Sequence, residues 1–259
     1  MSGSAPRLTG QVGAVARRSL LRTSRSLTII ASALVFPLFF LALNSAALER
    51  IASRPHFPTK SYVTFALAST FVLAGMTTVS IAGGAIADDI RTGFLDRLRL
   101  TPLRGAALVL GNLAGTAVVA LLGAILYIVV ALIAGAHVKT GVPGALVIVL
   151  LAVMTAVAFA SFGMLAALIR PAAVQVVFPL LFVLLFLSSQ YLPRNLIAHG
   201  WFRTVATYNP LSYLIEAPRS LLITGWDAQA LALGAGFAIL FIAIPVSLSA
   251  VRLRGRVHR

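Results

Sequence analysis

Cysteine is absent from the 259 residues. Disulfide frameworks, thiolate metal sites and cysteine nucleophiles are excluded with it. Acid is scarce: six Asp and Glu stand against 21 Lys and Arg, a formal net charge of +15. Lysine is limited to Lys60 and Lys139, which follow Thr59 and Val138, so no Gly-Lys-Ser/Thr phosphate-cradling loop exists and no nucleotide site is recognisable in the sequence. The most informative absence is positional. His56, His137, His199 and His258, every acid and every basic residue fall in loops, tails or the edges of apolar runs, and none in the middle of a run. Ion-coupled transporters and voltage sensors keep ionisable groups at membrane depth, and an intramembrane enzyme needs a nucleophile with its base or a cluster of metal ligands. Neither class fits, and energy for any transport must enter from a partner outside the apolar runs.

What the chain does contain is apolar surface. It is 59% hydrophobic and 10% charged, with a mean hydropathy of +0.99, where soluble chains hold about 45–50% and 25%. Such a sequence needs lipid as its solvent, and no polar stretch remains for a second domain. The arginines lie beside apolar runs, where they act as topology signals and contacts for anionic lipid head groups, so nucleic acid is not an expected partner.

A spanning helix requires about 20 mainly apolar residues. Six runs qualify, at 27–48, 62–86, 105–135, 142–169, 171–190 and 228–250. The expected fold is all-α and polytopic: an amphipathic segment over 1–26, a six-span membrane domain over 27–250 and a basic tail over 251–259. Arg170-Pro171 marks a tight turn between the fourth and fifth runs, because proline disfavours helix in the preceding residue. Alternating sides carry unequal charge. Arg7, Arg17, Arg18, Arg22 and Arg25 share a side with Arg91, Arg97, Arg99, Arg104, Arg170 and the arginines of the tail, and that majority side is expected to be cytoplasmic, with both termini on it. The 26 residues before the first run are long for a signal-peptide n-region, so an uncleaved anchor is expected despite Ser45-Ala46-Ala47.

Two segments are built to meet partners. Residues 8–25 place Val12, Ala16 and Leu20 on one helical face with Val15 beside them, and Arg18, Arg22 and Arg25 on another, a pattern that fits an interfacial helix lying on lipid or an elbow that also touches a cytoplasmic partner. After the second run the chain reads ADDIRTGFLDRLRLTPLRG. Asp88 or Asp89 is positioned to cap a short helix, Ile90, Phe94 and Leu98 recur at helical spacing, and Thr101-Pro102 ends it. A solvated turn that merely obeys the positive-inside rule is the alternative.

DDIRTGFLDRLRLTPL, together with YNPLSYLIEAPRSLL before the last run, resembles the ABC-2 type transporter permease family, and is especially similar to its daunorubicin/doxorubicin-resistance subgroup. Pro218 departs from the family pattern and is expected to break or kink the helix that holds it. The resemblance implies a pair of permease subunits, a copy of this chain or a homologue, above two separate ATP-binding subunits that carry the ATP and Mg. It also implies residue roles. Asp88, Asp89, Arg91, Gly93, Phe94, Asp96, Arg97, Leu98, Arg99 and Pro102 would form the ATPase-coupling helix. The aromatic-rich stretch 191–227 would dip back as an outer gate, with Asn209, Pro210, Tyr213, Glu216 and Arg219 as its pins. The fifth run would line the substrate path through Gln175, Phe178, Phe182, Phe186 and Gln190, although an aromatic stripe at that spacing also suits plain packing or lipid contact. Gly111 and Gly115 suit close helix approach within the chain.

The function this implies is the membrane subunit of an ATP-driven exporter of a hydrophobic or amphipathic compound (a drug, an antibiotic or a lipid-like molecule) in the bacterial plasma membrane. It holds no catalytic, metal or cofactor residues of its own. A non-transporting scaffold or immunity protein, or export of a lipid-linked polysaccharide, are the alternatives.

Overall fold

The computed structural model describes residues 8–24, 27–94, 97, 105–198 and 200–257. The described residues form helices and no strands: α1 Leu8–Ser24, α2 Leu27–Ala52, α3 Tyr62–Arg91, α4 Gly105–Ile133, α5 Gly141–Ile169, α6 Val174–Phe186, α7 Trp201–Tyr208, α8 Pro210–Ile223 and α9 Ala228–Val257. Five of them (α2, α3, α4, α5 and α9) are long and apolar enough to cross a bilayer. Their positions follow the predicted runs closely, because long unbroken apolar stretches leave the backbone no option in lipid except to bond within a helix.

The expected run at 171–190 behaves differently. A 3-10 turn at Pro171–Ala173 leads into α6, only 13 residues long, about 20 Å at 1.5 Å per residue. Helix stops at Phe186, and Leu187 to Gln190 continue as turns. Val174 packs against Gly83 at one end of α3, while the Tyr191 carbonyl, just past the turns, accepts from the Tyr62 hydroxyl at the other end, at 3.3 Å.

α3 is the central post: 78% of its apolar window is buried, against 11% for α2 and 17% for α9. It crosses α5 at two facing glycines. A Cβ on Gly83 would stand 2.7 Å from the Gly163 carbonyl oxygen, and one on Gly163 would run into the Val79 carbonyl. Small residues are what let two backbones meet this closely in a membrane. Gly111 and Gly115 of α4 serve the same purpose within the chain, receiving Val15 and Ser19 of α1.

That seat corrects the expected face of α1. Gln11, Val15 and Thr23 are buried, and Val12, Ala16 and Leu20 are only half-buried. The glycine groove on α4 selects the row at 11, 15 and 19, so α1 packs onto the helix bundle instead of resting its apolar face on lipid alone.

Two prolines inside long helices show how the bundle tolerates them. Pro37 in α2 and Pro245 in α9 cannot donate to the carbonyls of Ala33 and Phe241, four residues earlier. Both carbonyls are taken by hydroxyls of other helices: Tyr127 donates to Ala33 at 2.5 Å and Ser161 to Phe241 at 3.0 Å. Pro218 likewise leaves its helix intact, since α8 runs from Pro210 to Ile223 without interruption. The break expected there does not occur.

Contacts between elements gather at the two ends of α3. Arg18 and Arg22 meet Asp88 and Asp89, and Gly105 lies against Leu253. At the opposite end the α4–α5 loop joins the end of α8, where Lys139 and Thr140 donate backbone N–H groups to Leu222 and Leu221 at 3.2 and 3.3 Å.

Candidate functional site

At the arginine-rich end, α3 continues through Asp88 and Asp89 to Arg91. The two acids are therefore the last turn of a long helix and not the cap of a short one, which corrects the expected start of the coupling helix. The break comes at Gly93, whose φ of +66° is the left-handed geometry that closes a helix; the Thr92 and Gly93 N–H groups turn back to Asp88 and Ile90. Acids at a helix C-terminus oppose the helix dipole. Arg18 and Arg22 of α1 answer that. Arg18 donates to both oxygens of Asp89 at 2.7 and 3.3 Å, and Arg22 to Asp88 at 2.5 Å. Asp89 keeps 6% of its side chain exposed, while Arg18 keeps 45%.

The Arg18 guanidinium also lies over the Phe94 ring, 3.9 Å from its centroid, a cation–π contact. Arg91 and Arg97 are exposed. Asp96, Leu98, Arg99 and Pro102 lie outside the described residues.

Above this cluster α1, α3 and α4, with Phe36 of α2, border an open cavity of about 500 Å³. Its wall mixes apolar side chains (Phe36, Ile81, Val119) with polar ones (Thr77, Ser80, Asn112, Thr116), and its rim is the group of Arg18, Arg22, Asp88 and Asp89. Phe178 reaches it from α6. The polar wall residues escaped the sequence reading, although a signal was present: hydroxyls and an amide recur at one helical face inside runs that are otherwise apolar.

The opposite end holds a second cluster. Asn209 caps α8, its side-chain oxygen accepting from the Leu211 N–H at 2.9 Å, with Pro210 at the first helical position. This is the preferred pairing for a helix start. The Asn209 amide also donates to the Leu184 carbonyl at 2.7 Å, so one residue fixes α8 to the end of α6. Arg219 is buried and donates to the carbonyls of Ser189 and Gln190 at 2.8 and 3.2 Å, with its guanidinium 3.8 Å from the Phe65 ring centroid. Burial pushes its pKa down to about 10, while Glu216 acts in the opposite direction, and it stays cationic at neutral pH. Glu216 accepts from the Ser189 hydroxyl at 3.0 Å and pairs with Arg194 at 2.6 Å. Arg194 in turn covers the Tyr213 ring at 4.4 Å.

The five residues predicted for this segment are thus brought into one place. Ser189, at the outer end of the fifth run, joins the group, and Arg194 and Phe65, which were not singled out in the sequence, complete it. Trp201, Tyr208 and Trp226 stay exposed near it, as befits aromatics at a lipid–water boundary.

The three phenylalanines of the predicted α6 stripe form one continuous stack, Phe178 on Phe182 with centroids 6.0 Å apart and Phe182 on Phe186 at 4.9 Å, and each also meets a different neighbour. Phe178 faces the cavity, Phe182 packs edge-on to Phe40 of α2 with centroids 6.1 Å apart, and Phe186 lies against Tyr191. Gln175 is exposed and Gln190 buried. The five residues do not share one surface.

A family model described as ABC-2 type transporter matches residues 10–223. The match starts within α1 and ends on the last residue of α8, so it takes in both clusters and the cavity. No curated protein matches the chain at a significant level. Chains with this domain are generally non-catalytic membrane subunits, and the family implies association with an ABC ATPase subunit. With five helices long enough to span, this is a multi-pass membrane protein, and it belongs to the ABC-2 type transporter family.

Proposed function

We propose that the chain is the permease subunit of an ATP-driven exporter that moves a hydrophobic or amphipathic compound across the bacterial plasma membrane, with both termini in the cytoplasm. The observation that carries this reading is the arginine-clamped turn at the end of α3, inside the stretch that matches the family. It presents Phe94, Arg91 and Arg97 beyond the helix bundle while Arg18 and Arg22 hold α1 to the same turn.

Two ATPase subunits, which carry the ATP and Mg, press on this turn when they close. α3 carries the displacement inward, α1 follows through its ion pairs, and α5 follows through the Gly83–Gly163 crossing. A second permease subunit completes the pathway. α6 with its terminal turns makes a sixth crossing between Val174 and Tyr191, a reading supported by its contacts at both ends of α3, and α8 re-enters from the outside as a gate pinned by Asn209 and Arg219.

Replacing Phe94 with Asp tests the coupling. The variant should insert normally and co-purify less ATPase, and ATP hydrolysis stimulated by hydrophobic compounds should fall to the basal rate. Wild-type stimulated hydrolysis in that variant would sink the assignment.

A further inference from the structure

We propose that the open cavity between α1, α3 and α4, bordered by Phe36 of α2 and Phe178 of α6, binds the polar head and upper chains of an uncharged amphiphile whose polar part carries hydroxyl and carbonyl groups, such as a diacylglycerol. Its volume of about 500 Å³ falls within the range of about 300–1,000 Å³ in which proteins enclose small molecules. The wall is divided as an amphiphile is divided. Phe36, Ile81, Val119 and Phe178 offer apolar surface, and the side chains at 77, 80, 112 and 116 offer polar atoms.

The polar atoms are only partly committed. The Thr77 and Thr116 hydroxyls donate to the Ala74 and Asn112 carbonyls of their own helices at 2.7 and 3.1 Å, which leaves oxygen lone pairs to accept. The Asn112 amide donates once, to the Leu108 carbonyl at 3.3 Å, and an amide has a second donor and a carbonyl to spare. Hydroxyl donors and ester carbonyls on an occupant satisfy both kinds of group. Polar groups facing an apolar cavity cost free energy unless something bonds them.

Charge selects against an ionic head. The rim holds two arginines and two aspartates already joined in pairs, so its formal charges cancel and it offers an anionic head no net positive charge. Room is available at a defined point: Gly84 lines the cavity, and a Cβ built there meets nothing within 4 Å.

The assignment does not depend on ATP-driven transport, and its test needs no ATPase. The full chain in phosphatidylcholine nanodiscs is photolabelled with a diazirine-bearing diacylglycerol and, separately, a diazirine-bearing phosphatidic acid, and labelled peptides are mapped by mass spectrometry. The diacylglycerol probe should label 77–85 and 112–119, be displaced by unlabelled dioleoylglycerol, and exceed the anionic probe at those peptides. Gly84→Leu, which fills the open space, should cut labelling there by about tenfold. Asn112→Leu keeps the branched shape, adds some bulk and removes the amide, and should cut it by about threefold. Even labelling along the exposed faces of α4 and α9, equal labelling by phosphatidic acid, or wild-type labelling in either variant that retains its unfolding temperature would overturn the proposal. A failed transport assay would leave all of these outcomes unchanged.

Discussion

At one end of α3 the arginines that meet acids stand half in solvent: Arg18 and Arg22 keep 45% and 39% of their side chains exposed. At the other end Arg219 is 7% exposed and spends its donors on the carbonyls that end α6. The first arrangement gains little from each pair because water screens it, and it can be broken and remade at modest cost. The second has lost its water and stands only while every partner is in place. A turn that must receive force from a partner and a segment that must hold a closed position call for these two different solutions.

Four experiments break or sharpen this contrast. Arg219→Met should be the most damaging, at about 3–5 kcal/mol, because it orphans the Ser189 and Gln190 carbonyls and leaves Glu216 short of a neighbour. It would be read as a lowered unfolding temperature in detergent with faster hydrogen exchange in α8, and a cost under about 1 kcal/mol would place the outer cluster in the same class as the inner one. Arg219→Lys should recover only part of the loss, since one ammonium does not reproduce the planar fork that reaches two carbonyls. Asp89→Asn should cost about 1–2 kcal/mol, as the charge-assisted bonds to Arg18 become neutral ones, and faster exchange should be confined to α1. Arg22→Ala, an exposed pair, should cost about 0.2–1 kcal/mol. That loss should shrink further when salt is raised from about 0.1 M to about 1 M, where screening falls from about 10 Å to about 3 Å; α8 exchange should not respond to salt at all.

How much of this could be read in the sequence depends on whether the signal is local. The apolar runs of α2, α3, α4, α5 and α9 are each set by neighbours within a few residues, and the Gly111/Gly115 spacing marks a close approach locally without naming what fills it. Residue pairs far apart in the chain left no such trace. The packed face of α1 was misjudged because the groove at Gly111 and Gly115, not hydrophobic periodicity, decides which row is buried. Asp88 and Asp89 read as helix-starting residues, and only the arginines of α1 explain why they are tolerated at a helix end. The short α6 was missed because the run was carried through Ser188, Ser189 and Gln190, polar residues whose carbonyls at 189 and 190 Arg219 takes while Asn209 takes that of Leu184. The sequence pattern around Phe94 pointed outward to a partner, yet one face of that ring is already covered by Arg18.

The proline–hydroxyl pairs have a consequence for how this chain can vary. Tyr127 supplies Ala33 with the hydrogen bond that Pro37 withholds, so two positions 90 residues apart form a single genetic unit. Either change alone should be felt: Tyr127→Phe strands a carbonyl in hydrocarbon. Once Pro37 is replaced by Ala, however, α2 recovers its own bond and the hydroxyl has no remaining task there. The second loss should then be nearly silent, and the same epistasis is expected between Ser161 and Pro245.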